Sequence, residues 1–196
     1  MFSPFIRDYL SIKQKKITGM KDIYTEFKAY AEKMPGEMES IMKDLLGYAK
    51  RYNKLLLGHP SFPAKLKASL FRLNRFESSV TRPFLMEVMR LQEGSLLTLD
   101  EVAEICRIVE SYLLRRIICD LPSNTLAKVF LTMSSDIKRF DGTYSNFIEK
   151  MKYVLTSKKE KAAFLITRLL QIVCGPRIST LCSHVTKRIC LTPGKR

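Results

Sequence analysis

Apolar residues recur three and four positions apart along nearly the whole chain, which is the spacing of one face of an α-helix. The clearest repeat lies between Glu37 and Leu57. Its apolar face is predicted to hold Met38, Ile41, Met42, Leu45, Ala49, Tyr52, Leu55 and Leu56. No stretch before residue 175 alternates apolar and polar residues in the manner of a strand. The pattern therefore predicts an all-α protein.

Residues that start or stop helices stand at the ends of these segments. Gly58 follows the repeat at 37–57 as an achiral stop. Thr98 and Glu101 have the spacing of a capping box, ahead of a long helix predicted to run to Cys119. The sequence predicts an irregular bundle of about nine helices. The first begins at Ser3-Pro4, and another is capped by Ser123 or Asn124 and carries apolar residues from Leu126 to Ile137. Further segments lie at 21–34, 64–76, 83–92, 144–155 and 158–173. We expect one helical domain over residues 1–173 and a basic, loosely ordered tail over 174–196.

The composition excludes several classes of protein. At 46% hydrophobic residues the chain is not a disordered polybasic tail, and 8 Gly and 8 Pro argue against a turn-rich sandwich or barrel. No apolar run approaches the ~18 residues that a membrane span needs, and the first ten residues lack a signal-peptide layout. Five cysteines at irregular spacing do not suggest a secreted disulfide framework. We expect a soluble, cytoplasmic protein with no membrane partner.

The positive charge is unevenly distributed. The chain has 34 Lys and Arg against 19 Asp and Glu, a formal net charge of +15, and residues 158–196 carry nine basic residues against Glu160 alone. Two interpretations stay open, a solvated surface with a basic tail and a nucleic-acid-binding surface. On the second, the candidate contacts are Arg115, Lys158, Lys159, Lys161, Lys187 and Arg188.

Familiar catalytic motifs are absent from the sequence. There is no Gly-x-Ser-x-Gly, no Walker glycine loop and no dinucleotide fingerprint. His59 stands in a Gly-His-Pro turn, which is typical of a surface loop. His184 lies near Cys182, with Cys174 and Cys190 eight residues to either side, and this is not a zinc spacing. We expect no catalytic residue, metal or cofactor in this chain alone.

The predicted helix that ends at Cys119 contains an arginine on its apolar side. Arg116 falls ~30° from the centre of the apolar stripe, at ~100° per residue, while Arg115 points away from that stripe. An arginine on the buried face needs a partner, and the candidates are Glu110 and any carboxylate that a neighbouring helix brings close. We predict a packed ion pair; a snorkelling arginine at the bundle edge and a contact with DNA phosphate are the alternatives. The stripe itself consists of Val102, Ile105, Val109 and Leu113.

These residues also carry a family resemblance. Residues 110–119 are Glu-Ser-Tyr-Leu-Leu-Arg-Arg-Ile-Ile-Cys, and 122–130 are Pro-Ser-Asn-Thr-Leu-Ala-Lys-Val-Phe. They resemble a helical segment of the GmrSD-type restriction proteins, in which Ile/Val-Glu-Ser-Tyr-Leu-x-Arg-Arg-x-x-Cys leads into Thr/Ser-Asn-x-Leu-Asn-Lys-x-Phe. Residues 22–28 and 82–85 are similar too, and the resemblance spans residues 5–170. The motif positions are Glu110, Arg115, Arg116, Cys119, Asn124 and Lys128.

The resemblance implies a place between two other domains. Members of the family carry an N-terminal ParB-like domain with an Asp-Gly-Gln-x-Arg motif, associated with nucleotide hydrolysis. They end in an HNH/His-Me-finger nuclease domain with a Glu-His-Ile-x-Pro-type motif. They cut modified phage DNA in bacterial defence. Neither domain's motif occurs in this chain, so it resembles only the helical region between them, with those domains and DNA as implied partners. The chain departs from the family at Ala127, where the family usually has Asn, and after Gln171, where a basic tail that contains cysteines replaces the expected acidic helix end. The tail suggests a truncated or frame-shifted product.

Three functional hypotheses follow. The first is a helical middle domain, or a remnant, of a modification-dependent restriction protein, which links its neighbours and contacts the DNA backbone. The second is a stand-alone basic helical protein that binds nucleic acid. The third is a protein-interaction module without affinity for nucleic acid.

Overall fold

The computed structural model describes residues 2–34, 36–76, 79–118 and 125–158. Within them the chain forms eight α-helices and no strand, which confirms the predicted all-α bundle. The ninth predicted helix, at 158–173, lies outside the described residues apart from Lys158, as does the tail at 174–196. The helices are α1 Phe2–Gln14, α2 Ile23–Glu32, α3 Met38–Leu57, α4 Ala64–Arg75, α5 Arg82–Glu93, α6 Leu99–Ile118, α7 Leu126–Lys138 and α8 Phe147–Ser157.

Helix α5 forms the centre of the bundle. It has a proline in its first turn, as predicted, and eight of its 12 residues are buried. It packs against α1, α3, α6 and α7. Because apolar residues all round a helix require apolar neighbours on every side, this pattern places α5 inside.

Helix α3 buries a narrower face than its sequence predicts. Its buried residues are Ile41, Leu45, Tyr48, Tyr52 and Leu55. Met38 and Met42, predicted on that face, are 54% and 53% exposed. The apolar stripe of α3 is wider than the surface that α1, α4 and α5 cover. The side of the helix that carries Tyr48 and Tyr52 is therefore buried, and the two methionines lie at the surface.

The start of α6 has the predicted capping box. The Thr98 N–H donates to the Glu101 carboxylate at 2.8 Å, and the Glu101 N–H donates to the Thr98 hydroxyl at 3.2 Å. From there α6 runs along α4. Of all the pairs of described helices, α4 and α6 have the most extensive contact. None of the described helices combines the length and the apolar composition that crossing a bilayer requires.

The last turn before α8 is held by one carboxylate. Asp141 accepts a hydrogen bond from the Thr143 N–H at 2.9 Å and lies 2.7 Å from the Lys150 ammonium, both of which hold its pKa well below the usual range. Ser145 also donates its hydroxyl to Asp141, at 3.2 Å. These bonds keep 143–145 in a turn, so α8 begins at Phe147 rather than at the predicted Tyr144.

Candidate functional site

The two arginines of the family motif lie inside the bundle. Arg116 is 2% exposed, which confirms its predicted position on the buried side of α6, and its guanidinium carbon lies 5.5 Å from the centre of the Tyr112 ring. Burial raises the pKa of Tyr112, against the opposing effect of the Arg116 charge. The site is therefore a desolvated cation over an aromatic face.

Arg115 is buried as well, although it points away from the predicted apolar stripe. Its side chain is also 2% exposed, and its Nε donates to the Ser111 hydroxyl at 3.2 Å. The physical reason is that five of the six residues from 111 to 116 are buried, so the second half of α6 has neighbours on all sides. A contact of Arg115 with nucleic acid stays a prediction, and it requires that this side chain be uncovered.

The structure assigns Glu110 to a different arginine from the predicted one. Its Oε1 lies 2.5 Å from Nε of Arg72, on α4. Glu110 and Arg116 are six residues apart, which separates them by about 120° around a helix, so they do not face each other. Glu110 is therefore not the partner of Arg116, although it was one of the candidates, and it links α6 to α4 instead.

Of the other predicted motif and nucleic-acid-contact positions, the structure describes only Lys128 and Lys158. Lys128 is exposed on α7, and the Lys158 ammonium lies 3.2 Å from a carboxylate oxygen of Asp136. Among the described contacts, neither lysine contacts Arg115 or Arg116. The remaining predicted positions lie outside the described residues; they are Cys119, Asn124, Lys159, Lys161, Lys187 and Arg188.

Sequence reasoning missed a polar network between α1, α3 and α5. The Tyr9 hydroxyl of α1 donates to Asp44 of α3 at 2.8 Å, and the Lys13 ammonium is 2.7 Å from the same carboxylate. Tyr48 of α3 donates its hydroxyl to the carboxylate of Glu87 on α5. The one sequence signal for this network was Glu87, which stands in the middle of the apolar helix α5. A buried carboxylate requires hydrogen-bond partners, so its position indicates polar groups on the neighbouring helices.

The electrostatics of this network suit a structural tie. Burial raises the pKa of Tyr48, and the bond to Glu87 raises it further; burial likewise raises that of Tyr9. Both phenols therefore stay protonated and act as hydrogen-bond donors. Arg90 adds a second donor to Glu87 at 3.2 Å. Each carboxylate of the network has at least two partners, which leaves none of them poised as a general base.

The described part of the chain has neither an activated cysteine nor a cluster of metal ligands. Cys106 is fully buried, and burial raises the pKa of its thiol to about 12, which disfavours the nucleophilic thiolate. Among the described residues, no three or more His, Cys, Asp or Glu side chains gather in a way that could hold a metal ion. His59 is exposed in its loop, as predicted, with Nδ1 2.6 Å from the Ser61 hydroxyl.

Comparisons with protein families, with curated proteins and with solved structures find no match to this chain. The resemblance to the GmrSD-type restriction proteins therefore stays a prediction from the motif residues.

Proposed function

We propose that this chain is the helical middle domain, or a remnant, of a modification-dependent restriction protein of the GmrSD type. Its role is to hold a ParB-like sensor domain and a nuclease domain together, without catalysis of its own. The observation that supports this most is the burial of Arg115 and Arg116, the most specific part of the resemblance, at 2% exposure each. A motif packed inside a bundle specifies how the bundle folds.

The internal pairing of the acidic residues supports the same role. Besides the network of α1, α3 and α5, Glu93 lies 2.7 Å from Arg51 and 2.9 Å from Lys54, which fixes the end of α5 to α3. Carboxylates used in this way join helices. A domain that positions its neighbours benefits from such rigid joints more than from a reactive side chain.

The neighbouring coding sequence gives the first test. We expect an upstream segment with an Asp-Gly-Gln-x-Arg motif and a downstream nuclease segment with a Glu-His motif. Intact frames on both sides with neither motif would remove the proposal. Where both are present, co-expression with this chain should give one complex by size-exclusion chromatography. Lys128→Met, on the surface, should leave that complex unchanged, whereas Arg116→Met should reduce it by destabilising the bundle.

The exposed lysines favour a second candidate function, direct binding of nucleic acid. Half of the described lysines form no ion pair and are exposed, and they include positions at the end of α1, on α4 and on α7. Such cations are available to phosphate groups. The residues are Lys15, Lys21, Lys33, Lys50, Lys65, Lys67, Lys128 and Lys138.

Salt dependence distinguishes the two functions. If the surface neutralises several phosphates, the logarithm of the affinity for duplex DNA should fall linearly with the logarithm of salt concentration, by about 0.9 per phosphate. Replacing both Lys15 and Lys21 by Glu should then lower both the affinity and the slope. Absence of binding to duplex DNA at low salt would remove this candidate and leave the linking role untouched.

A further inference from the structure

We propose that a groove between the end of α3 and α4 binds an acidic peptide segment that carries a large apolar side chain. The inference goes beyond the proposed function, because it holds whether the chain links restriction domains or acts alone. The groove has a volume of about 450 Å³ and opens to solvent. We call it the α3–α4 groove; its walls are Leu56, Leu57, Gly58, His59, Pro60, Lys67, Leu70, Phe71 and Asn74.

Exposed apolar side chains line this groove from both helices. Leu57, the last residue of α3, is 77% exposed, and Phe71 of α4 is 64% exposed. Single exposed apolar residues are ordinary on a protein surface, but these two belong to one concavity with the leucines beneath them. A concave apolar surface with a few polar groups is the usual form of a binding site. The groove therefore suits a Leu, Met or Phe side chain of a partner.

The walls of the groove are already fixed in place. The Asn74 amide donates to the carbonyls of Leu55 and Leu56 at 3.0 Å and 3.2 Å, which ties α4 to the end of α3. The Lys67 ammonium donates to the Pro60 carbonyl at 2.8 Å and holds the connecting loop. Since little has to be ordered on binding, a short segment can bind here without a large entropic cost.

The charge that the described residues place on the groove is positive. None of those lining it is acidic, and α4 contains no acidic residue along its length. Lys67 lies in the wall, and the Arg75 guanidinium lies beside it, 6.0 Å from the centre of the Phe71 ring. Both side chains are exposed, and neither forms an ion pair with another described residue. An apolar floor with a cationic rim is complementary to an apolar residue flanked by Asp or Glu.

The floor favours a peptide over a nucleic acid. Leu56, Leu57 and Leu70 offer aliphatic surface, for which a sugar–phosphate chain has no counterpart. Proteins that bind single strands instead present successive aromatic rings for base stacking. Here the two rings that line the groove, Phe71 of α4 and His59 of the connecting loop, are 12 residues apart and do not form a run of successive rings. The Arg75 guanidinium beside Phe71 can pair with a carboxylate.

A peptide selection tests the proposal on the full chain. A random peptide library is selected on the immobilised wild-type protein and counter-selected on Phe71→Ser. We expect the enriched peptides to carry two or more acidic residues next to Leu, Met or Phe. The affinity of a fluorescein-labelled selected peptide should fall about tenfold in Phe71→Ser and also fall in Arg75→Glu. Leu57→Ser gives an independent check on the other wall.

A matched pair of variants elsewhere on the surface provides the control. Phe140 is 49% exposed at the end of α7, and Arg139 precedes it, so Phe140→Ser and Arg139→Glu should leave the affinity unchanged. Enrichment of basic peptides, no enrichment over the counter-selection, or indifference to Phe71→Ser and Arg75→Glu would overturn the proposal. A single-stranded oligonucleotide that displaces the peptide and loses affinity in Arg75→Glu would assign the groove to nucleic acid instead.

Discussion

Glu110 of α6 is bound to Arg72 of α4, with Oε1 2.5 Å from Nε, at the most extensive helix contact of the described bundle. The Arg72 side chain is 46% exposed and that of Glu110 is 18% exposed. Arg72 also donates to the Ser69 hydroxyl at 3.2 Å, which fixes its direction. The pair is thus a partly shielded joint between two helices, whereas the sequence suggested a neutralising partner for Arg116.

A double-mutant cycle on Arg72→Met and Glu110→Gln should give a coupling energy of about 1 kcal/mol in urea unfolding. Arg72→Met should be the more destabilising single change, because it leaves a carboxylate whose Oε2 is already buried without a hydrogen-bond partner. The pair of Glu39 and Lys43 is the control, since its side chains are 82% and 76% exposed. We expect no measurable coupling there; equal coupling in both cycles would contradict the role of shielding.

Arg116→Met should destabilise the protein by at least about 2 kcal/mol, because it removes a desolvated cation from the face of Tyr112. The measurement is the free energy of unfolding in urea. Lys128→Met, an exposed cation of the same motif, should change it by less than about 0.5 kcal/mol. An unchanged stability in Arg116→Met would show that the buried guanidinium contributes nothing to the fold.

Local chemistry explains which features could be predicted from sequence. The capping box of Thr98 and Glu101 involves residues three apart, and the stop at Gly58 involves one residue with a φ of +75°. The proline at the start of α5 acts in the same local way. Each of these features depends on a few consecutive residues. All eight described helices could therefore be predicted from the sequence, and the errors in their bounds lie at the helix ends.

Contacts between helices explain the errors. Which side of α3 is buried depends on where α1, α4 and α5 lie, and this placed Met38 and Met42 at the surface. The burial of Arg115 likewise follows from neighbours on all sides of α6. Tyr48 and Glu87 are 39 residues apart, so no periodicity indicates their bond. The α3–α4 groove also depends on how two helices meet, and its exposed Leu57 and Phe71 look like ordinary apolar positions in sequence.

Tyr48→Phe tests the tie between α3 and α5. The change removes the hydroxyl that donates to Glu87 and leaves a buried carboxylate with Arg90 as its remaining partner. We expect a loss of about 1–3 kcal/mol in the free energy of unfolding, which is the usual cost of a buried group that loses a hydrogen bond. Tyr24→Phe, at a ring that is 79% exposed, is the matched control and should have no effect. A loss of similar size in both variants would contradict the assigned role of the Tyr48 hydroxyl.

Asp8 of α1 is a buried carboxyl group whose side-chain hydrogen bonds, among the described residues, come from Arg7 alone. It is 1% exposed; its Oδ1 accepts from Arg7 at 2.7 Å, and its Oδ2 has no hydrogen-bond partner. Burial raises the pKa of Asp8 from 3.8 to about 6, although the charges of Arg7 and Arg82 act in the opposite direction. The folded protein therefore binds a proton at this residue more readily than the unfolded chain does.

This difference predicts how stability depends on pH. Between about pH 4 and pH 6 the native state holds the proton that the unfolded chain has released, so the free energy of unfolding should fall with rising pH by about 3 kcal/mol from this group. Asp8→Asn keeps the shape and removes the ionisation, so its stability relative to wild type should rise by about that amount across the same window. Urea unfolding at several pH values measures it, with the exposed Asp100→Asn as a control that should keep the wild-type slope. If Asp8→Asn and wild type show parallel pH profiles, Asp8 is ionised in the folded protein throughout this range, and the effect of its burial is offset by Arg7 and Arg82.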